Sequence, residues 1–472
     1  MSEPVNPIDL TPTGRMRLRA TVLAGLLLAL QGCATRSTYA PPAMAKPTAW
    51  EQGRAPATAR EDAAITEWWL PLNDPALNQL MQMALQGNNT LAQAVLKARR
   101  ARLVAGQAAS DQLPTVSAKV GSTATRTLDS GSSTIAHTAT LAASWELDLW
   151  GRVAALRDAA DFEAQATEAD RLASRLSITA AVANAWWQLA YLNQRVVASQ
   201  QSIDYARQTL KLVEAQYAAG STSGLERAQA RQTVAAQEAS HLQWVRQQTE
   251  ARNALALLVD GAPGSASPVR AVAEPARLPD AALPDVPAGL PAQLLTRRPD
   301  LQAAELRLRK TLASGDATRA AYYPTISLTG QLYGAASSLT DVLSSPQAIL
   351  GSGLSLPFIQ WRDMQRARDI AQLDYELAVT AYRQSWYQAL ADVDNALNAR
   401  QQYALQGERL QAALEAAQAA EQLAAARYRA GSVALKTWLD AQETRRQAEI
   451  NLAANRLNQF NTWVTLVQTL GG

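Results

Sequence analysis

The chain has 472 residues, with 44 Lys and Arg against 41 Asp and Glu and a net charge of +3. That is too long for one ordinary compact domain, and its charges are too evenly interspersed for a nucleic-acid binder. One cysteine, Cys33, and two distant histidines, His137 and His241, form neither an internal disulfide nor a metal cluster. With no phosphate-loop, dinucleotide, zinc-helix or nucleophile-elbow motif either, no enzyme, cofactor or metal is expected.

The first element in chain order is an export signal over 1–32. Arg15, Arg17 and Arg19 precede the apolar run Val22–Leu30, which is far too short to span a bilayer as a helix. It ends Leu30-Gln31-Gly32-Cys33, which resembles a bacterial lipobox at every position but Gln31. Cys33 is the expected lipidation site, and two or more acyl chains on it would give stable anchoring in outer-membrane lipid. A plain signal peptide with an incidental Cys is the alternative. Ala34, rather than Asp, is the residue that by resemblance to lipoprotein sorting directs the chain to the outer membrane.

An N-terminal segment with a first helix is expected over 33–112. Two repeats follow, over 113–262 and 323–472, joined by a Pro- and Ala-rich linker over 263–298 and a helix over 299–322. Leu113-Pro114-Thr115 corresponds to Tyr323-Pro324-Thr325, and Gly151-Arg152 to Trp361-Arg362, each pair 210 residues apart. Tyr217-x-x-Gly220 corresponds to Tyr428-x-x-Gly431, 211 residues on. Landmarks at one offset indicate an internal duplication.

Each repeat opens with strand candidates. From Ile135 to Leu149 a mostly apolar set, which includes His137, alternates with small or polar residues from Ala136 to Asp148. Ile326, Leu328 and Leu332 alternate with polar neighbours in the second repeat, and Leu350, Leu354, Leu356 and Phe358 share one parity in a fourth strand. Lys119 to Thr127 is more polar and a weaker candidate. This period of two fits membrane strands of about 9–11 residues, although a small soluble sheet shows it too. Trp150, Tyr322, Tyr323 and Trp361 stand where an interfacial girdle belongs.

Long helices complete each repeat. All 21 prolines avoid Thr115–Ala262 and Phe358–Gly472. Arg152–Gln216 and Arg362–Tyr428 are rich in Ala, Gln, Leu and Arg, with only Gly407 interrupting the second. Each spans roughly 100 Å as a helix, a length that belongs to a coiled coil or tube. Glycines near 220–224 and 431 supply turns between antiparallel helices. Four strands cannot close in lipid, so other copies must complete the sheet.

At this point the chain resembles the TolC/OprM-like outer membrane factors, lipoprotein branch. The resemblance rests on Tyr39-Ala40-Pro41-Pro42, Trp68-Trp69, Asp74-Pro75 with Leu77, Asn88-Asn89-x-Leu91, Arg297-Arg298-Pro299-Asp300 with Ala303-Ala304-Glu305, and Leu439-Asp440-Ala441-Gln442. It implies a mainly α protein with a membrane β-barrel. Three copies would each give four strands to a twelve-stranded outer-membrane barrel, and long antiparallel helices would form a periplasmic α-barrel. Partners would be a periplasmic adaptor protein and an inner-membrane pump, with no nucleic acid.

By the same resemblance the periplasmic gate falls on Tyr428, Thr437 and Asp440. The hairpin tips that dock the adaptor carry Tyr217, Gly220, Gly224, Gly431 and Ser432. Two positions depart from the family's pattern. Thr437 stands at one of two usual aspartates, which implies a weaker cation preference, and Val433 stands at a usual basic latch, opposite an acidic Glu226. The function expected is the exit channel of a tripartite efflux pump for small toxic molecules. A duct for type I protein secretion and a non-channel coiled-coil envelope lipoprotein are the alternatives.

Overall fold

The computed structural model describes residues 36–45, 47–50, 67–286 and 297–472. Cys33 and the export signal lie outside them. The long elements run α1 (Pro75–Gly87), α2 (Asn89–Ser110), β1 (Thr115–Arg126), β2 (Ser133–Leu147), α3 (Arg152–Ala218), α4 (Gly224–Leu258), α5 (Pro299–Ala320), β3 (Thr325–Ala336), β4 (Gln347–Ser355), α6 (Trp361–Arg429) and α7 (Leu435–Leu470). Contacts divide the chain into two compact units, whose boundaries fall inside α2, α3, α5 and α6.

The first unit holds an antiparallel sheet in the order β1-β2-β3-β4, leaving β1 and β4 as open edges. Its register gives each face a dominant character. Val120, Ala139 and Gly334 align across three strands, as do Ala118, Leu141, Leu332 and Ala348 across four. Val116, Trp145, Leu328, Leu350 and Leu354 share that face and stand exposed. On the other face Lys119, Thr140, Tyr333 and Gln347 align, as do Ser144, Thr329 and Gly351. An apolar outer face over a polar inner one is the pattern of a membrane barrel with an aqueous lumen.

The structure differs from the sequence reading at three strands. β1 is a full strand, paired with β2 along its whole length; Ser117, Lys119, Thr123 and Thr125 sit on the polar face, while Ser122 lies on the other and bonds His137 at 2.7 Å. β2 ends at Leu147 rather than Leu149, because the Asp148 carboxylate accepts from Val153 N at 3.0 Å and Ala154 N at 2.8 Å, capping the first turn of α3. β4 ends at Ser355, before Leu356 and Phe358, because Pro357 has no N–H for the ladder and opens a 3-10 turn. Near this end of the sheet Trp150 stacks on Tyr323 at 5.0 Å and donates to Pro324 O at 2.7 Å.

The N-terminal segment is strapped to the same unit. Arg36 pairs with Asp158 at 3.0 Å, Ser37 N and Oγ both donate to the buried Asp316 at 2.7 Å, and Tyr39 donates to Glu305 at 3.2 Å.

The second unit holds two helical hairpins and the main core. α3 runs unbroken for 67 residues and α6 for 69. Gly407 does not interrupt α6. A Cβ there would come within 3.0 Å of Gln459 Nε2 and Asn455 Oδ1, so the glycine admits a close approach of α7. Gln459 Nε2 donates to Tyr403 O at 3.0 Å and Asn455 Nδ2 to Gln406 at 2.9 Å across that contact, which offsets the roughly 1 kcal/mol helix penalty of glycine.

The core gathers Trp68, Trp69, Trp186, Trp187, Phe460 and Trp463 from widely separated segments. The motif residues are structural members of it. Asp74 caps α1 through Ala76 N and Leu77 N at 3.0 Å and accepts Trp186 Nε1 at 2.8 Å. Trp68 Nε1 donates to Thr179 at 3.1 Å, and Asn88 receives Leu91 N at 3.0 Å while donating to Leu258 O at 2.9 Å. Arg298 forks onto Asp300 at 2.7 and 3.1 Å and reaches Asp392 at 3.5 Å. Burial opposes the Arg298 charge, but these carboxylates outweigh it and its pKa is raised.

Candidate functional site

The two hairpin tips of the second unit are built alike. Gly220 and Gly431 adopt φ of +75° and +72°, the left-handed geometry that ends a helix without steric cost. Ser221 N bonds Gln216 O at 2.9 Å while Gly220 N bonds Tyr217 O at 3.0 Å. Ser432 N bonds Arg427 O at 3.0 Å while Gly431 N bonds Tyr428 O at 2.9 Å. Both are Schellman motifs. The serine hydroxyls repeat the pattern, with Ser221 Oγ on Gln216 O at 2.9 Å and Ser432 Oγ on Arg427 O at 3.1 Å. The duplication read from Tyr-x-x-Gly therefore extends to the hydrogen bonds.

The return helices start differently. Ser223 and Glu226 form a capping box on α4. α7 has no side-chain cap of its own at Ala434. The Glu226 carboxylate is drawn below its ordinary range by the Thr222 hydroxyl first and then by the Ser223 backbone, with a contribution from the backbone of Leu435. The carboxylate's hydrogen bonds go to Thr222 and Ser223, at the start of α4. Since the lowered pKa stabilises the charged form, this contribution is complete above the ordinary carboxylate range and is lost only as pH falls through the lowered value. Protection of the first turn of α4, read by hydrogen exchange relative to the intrinsic rate, should fall in acid, and Glu226→Gln should lower it at every pH. Acid-insensitive protection in the wild type would refute the Glu226 cap.

Tyr428 and Trp438 anchor an apolar cluster with Val213, Ala230, Ala425 and Leu435. Tyr428 stacks on Trp438 at 5.3 Å and donates its hydroxyl to Gln216 at 2.6 Å. Its pKa is raised, by burial first and by Glu226 second. Val433 packs against this cluster, so it adds apolar contact where a basic residue would reach outward. Tyr217 is half exposed, with the Arg227 guanidinium 4.3 Å above its ring, and Gly224 lies beside that ring.

Further along the hairpins, away from the turns, lies a constellation that the sequence reading missed. Tyr205 of α3 donates to Glu421 of α6 at 2.7 Å, and Glu421 pairs with Arg445 of α7 at 2.8 Å. Arg445 also holds Glu449 at 2.5 Å. The Glu421 side chain is only 10% exposed. Burial, then the Glu421 contact, raises the Tyr205 pKa. This clasp ties three helices of two hairpins together. The available signal was that Glu421 is the sole charge between Glu415 and Arg427, in an Ala-rich run.

Asp440 and Thr437 are exposed on α7. Lys436 pairs with Asp440 at 2.7 Å. With Tyr205, Gln229, Thr233 and Arg446 this pair borders a polar groove of about 420 Å³ between α3, α4 and α7. Among the described residues no group of three or more His, Cys, Asp or Glu is placed to hold a metal ion. His137 instead bonds Ser122 at 2.7 Å, and His241 bonds Ser199 at 2.8 Å.

An apolar-faced sheet and paired long helices are the elements of an outer-membrane channel of the helical-tube type. The chain belongs to the outer membrane efflux protein family, whose profile matches residues 80–261 and 290–472. It is 33% identical to the pyoverdine export outer membrane protein OpmQ of Pseudomonas putida, covering 96% of this chain and 97% of that one. It is 30% identical to the outer membrane protein OprJ of Pseudomonas aeruginosa, over 97% of each. The solved outer-membrane channel OprN superposes with a TM-score of 0.83 at 27% identity, covering 93% of this chain and 99% of that one. The protein is an outer-membrane efflux channel.

Proposed function

We propose that three copies join β4 of one to β1 of the next, closing a twelve-stranded barrel that discharges small toxic molecules received from an adaptor and an inner-membrane pump. The observation that carries this is the sheet itself, with one apolar face and two unpaired edges. An unpaired edge in lipid leaves N–H and C=O groups without partners. With four antiparallel strands per copy, β4 meets the next β1 antiparallel, so identical copies close without a mismatched seam.

Cys33 anchors the chain through acyl groups. The strap supports this, because Arg36, three residues downstream, is held to Asp158 near the start of α3. The tips carrying Tyr217, Gly220, Gly224, Gly431 and Ser432 dock the adaptor, and Tyr428, Thr437 and Asp440 line the gate. Exported cargo is small-molecule in class, in keeping with relatives named for export of pyoverdine and toluene. Native mass spectrometry of the detergent-solubilised protein should give three copies with acylated N-termini. A monomeric mass, or an unmodified Cys33, would overturn the corresponding part.

The Lys436 contact predicts weak ion selectivity, because it offsets the single carboxylate of Asp440. Lys436→Ala should raise the cation-to-anion permeability ratio by about two- to fivefold, the equivalent of an exposed ion pair. An unchanged ratio in planar bilayers would remove Asp440 from the conduction path.

A further inference from the structure

The β3–β4 loop, residues 337–346, does not project freely from the sheet. It makes a 3-10 turn at Leu339–Asp341 and folds back so that Val342 is 4% exposed. A Cβ on Gly334 would collide with the Val342 carbonyl oxygen. Glycine at 334 therefore lets loop backbone lie directly on β3.

The face on which it lies decides what the loop can do. Gly334 pairs with Ala139 and has the parity of Leu328 and Leu332, so the loop covers the apolar face rather than the polar one. A loop on the polar face would obstruct a lumen; this one extends the surface that meets lipid. Leu339 and Leu343 are 63% and 75% exposed beside it. The loop's polar groups bond one another, with Ser338 on Thr340 at 2.7 Å and Ser344 Oγ on Asp341 O at 2.6 Å. Internal pairing lowers the cost of leaving water. The β1–β2 turn at the same end of the sheet is shorter, closed by Gly131 N on Thr127 O at 2.8 Å, with Leu128 90% exposed.

We propose that the β3–β4 loop is a lipid-binding collar, in which Val342 clips the loop to Gly334 and Leu339 and Leu343 enter the outer leaflet of the membrane. The inference rests on the apolar face of the sheet meeting lipid. It makes this loop a depth-setting element and not a pore-side lid.

The test is nitroxide labelling of Leu343→Cys in the full channel, reconstituted in phosphatidylethanolamine–phosphatidylglycerol vesicles. Power saturation compares oxygen with a water-soluble nickel chelate. Leu141→Cys on the sheet and Leu128→Cys in the β1–β2 turn are the references, and the wild type reports any label on Cys33. Position 343 should match 141, with oxygen access several-fold above nickel access, while 128 shows the reverse. Gly334→Val should unclip the loop and shift position 343 toward the pattern of 128. Nickel access at 343 equal to that at 128, with 141 still in lipid, would overturn the collar. Low access to both reagents at 343 would place it against protein and overturn it as well. Nickel access at 141 would refute the lipid-facing sheet itself, and the collar with it.

Discussion

Arg445→Ala should release the hairpin clasp more strongly than any exposed charge substitution. It leaves the Glu421 carboxylate, 10% exposed, with only the Tyr205 hydroxyl at 2.7 Å. Removing one member of a buried pair costs about 3–5 kcal/mol, because the remaining charge is buried and uncompensated. Glu421→Ala should cost less, since Arg445 keeps Glu449 at 2.5 Å. Adding Glu421→Gln to Arg445→Ala should recover much of the loss by neutralising the stranded charge. The readout is hydrogen exchange in α6 and α7 around the clasp. An Arg445→Ala protein as protected as the wild type would show that the clasp carries no stability. By contrast, removing an exposed pair such as Arg207 with Glu238 should cost under about 1 kcal/mol.

Trp186→Ala should have the largest effect on the core. Its side chain is 1% exposed, and its indole N–H is held by Asp74 at 2.8 Å. The cavity and lost burial together cost about 3–5 kcal/mol. Asp74 also keeps the α1 cap, so the same substitution loosens the segment that positions Leu77, Leu80 and Met81, all fully buried. Folded yield and thermal midpoint should both fall. Trp361→Ala, at a position 58% exposed, should leave both nearly unchanged. Equal effects at the two tryptophans would contradict the division between core and surface.

The long helices were legible because proline is absent from two windows and helix-forming residues fill them; α3 and α6 exceed the expected spans by two residues each. β2 was legible because its alternation is visible without knowing its neighbours. β1 was not, because Lys119, Thr123 and Thr125 look like solvent residues until the register places them on a polar inner face. The tip glycines announced their turns through backbone geometry alone. The clasp was hidden because Tyr205, Glu421 and Arg445 come from three helices, and each reads locally as an ordinary helix-surface residue. Glu226 was legible as acidic, but its reach toward Leu435 depends on how two hairpins lie together. Local backbone chemistry is written in short windows, whereas polar contacts between distant helices are settled only by packing.

Single-channel recording in planar bilayers tests the central claim most directly, because it asks whether a pore exists and whether the clasp between the hairpins restricts it. The wild type should give small, uniform conductance steps, and Arg445→Ala should give steps several-fold larger from the same assembly. No channel activity from a correctly assembled wild type would contradict the duct, and identical conductance in both proteins would show that the contact of Tyr205, Glu421 and Arg445 does not restrict the pore.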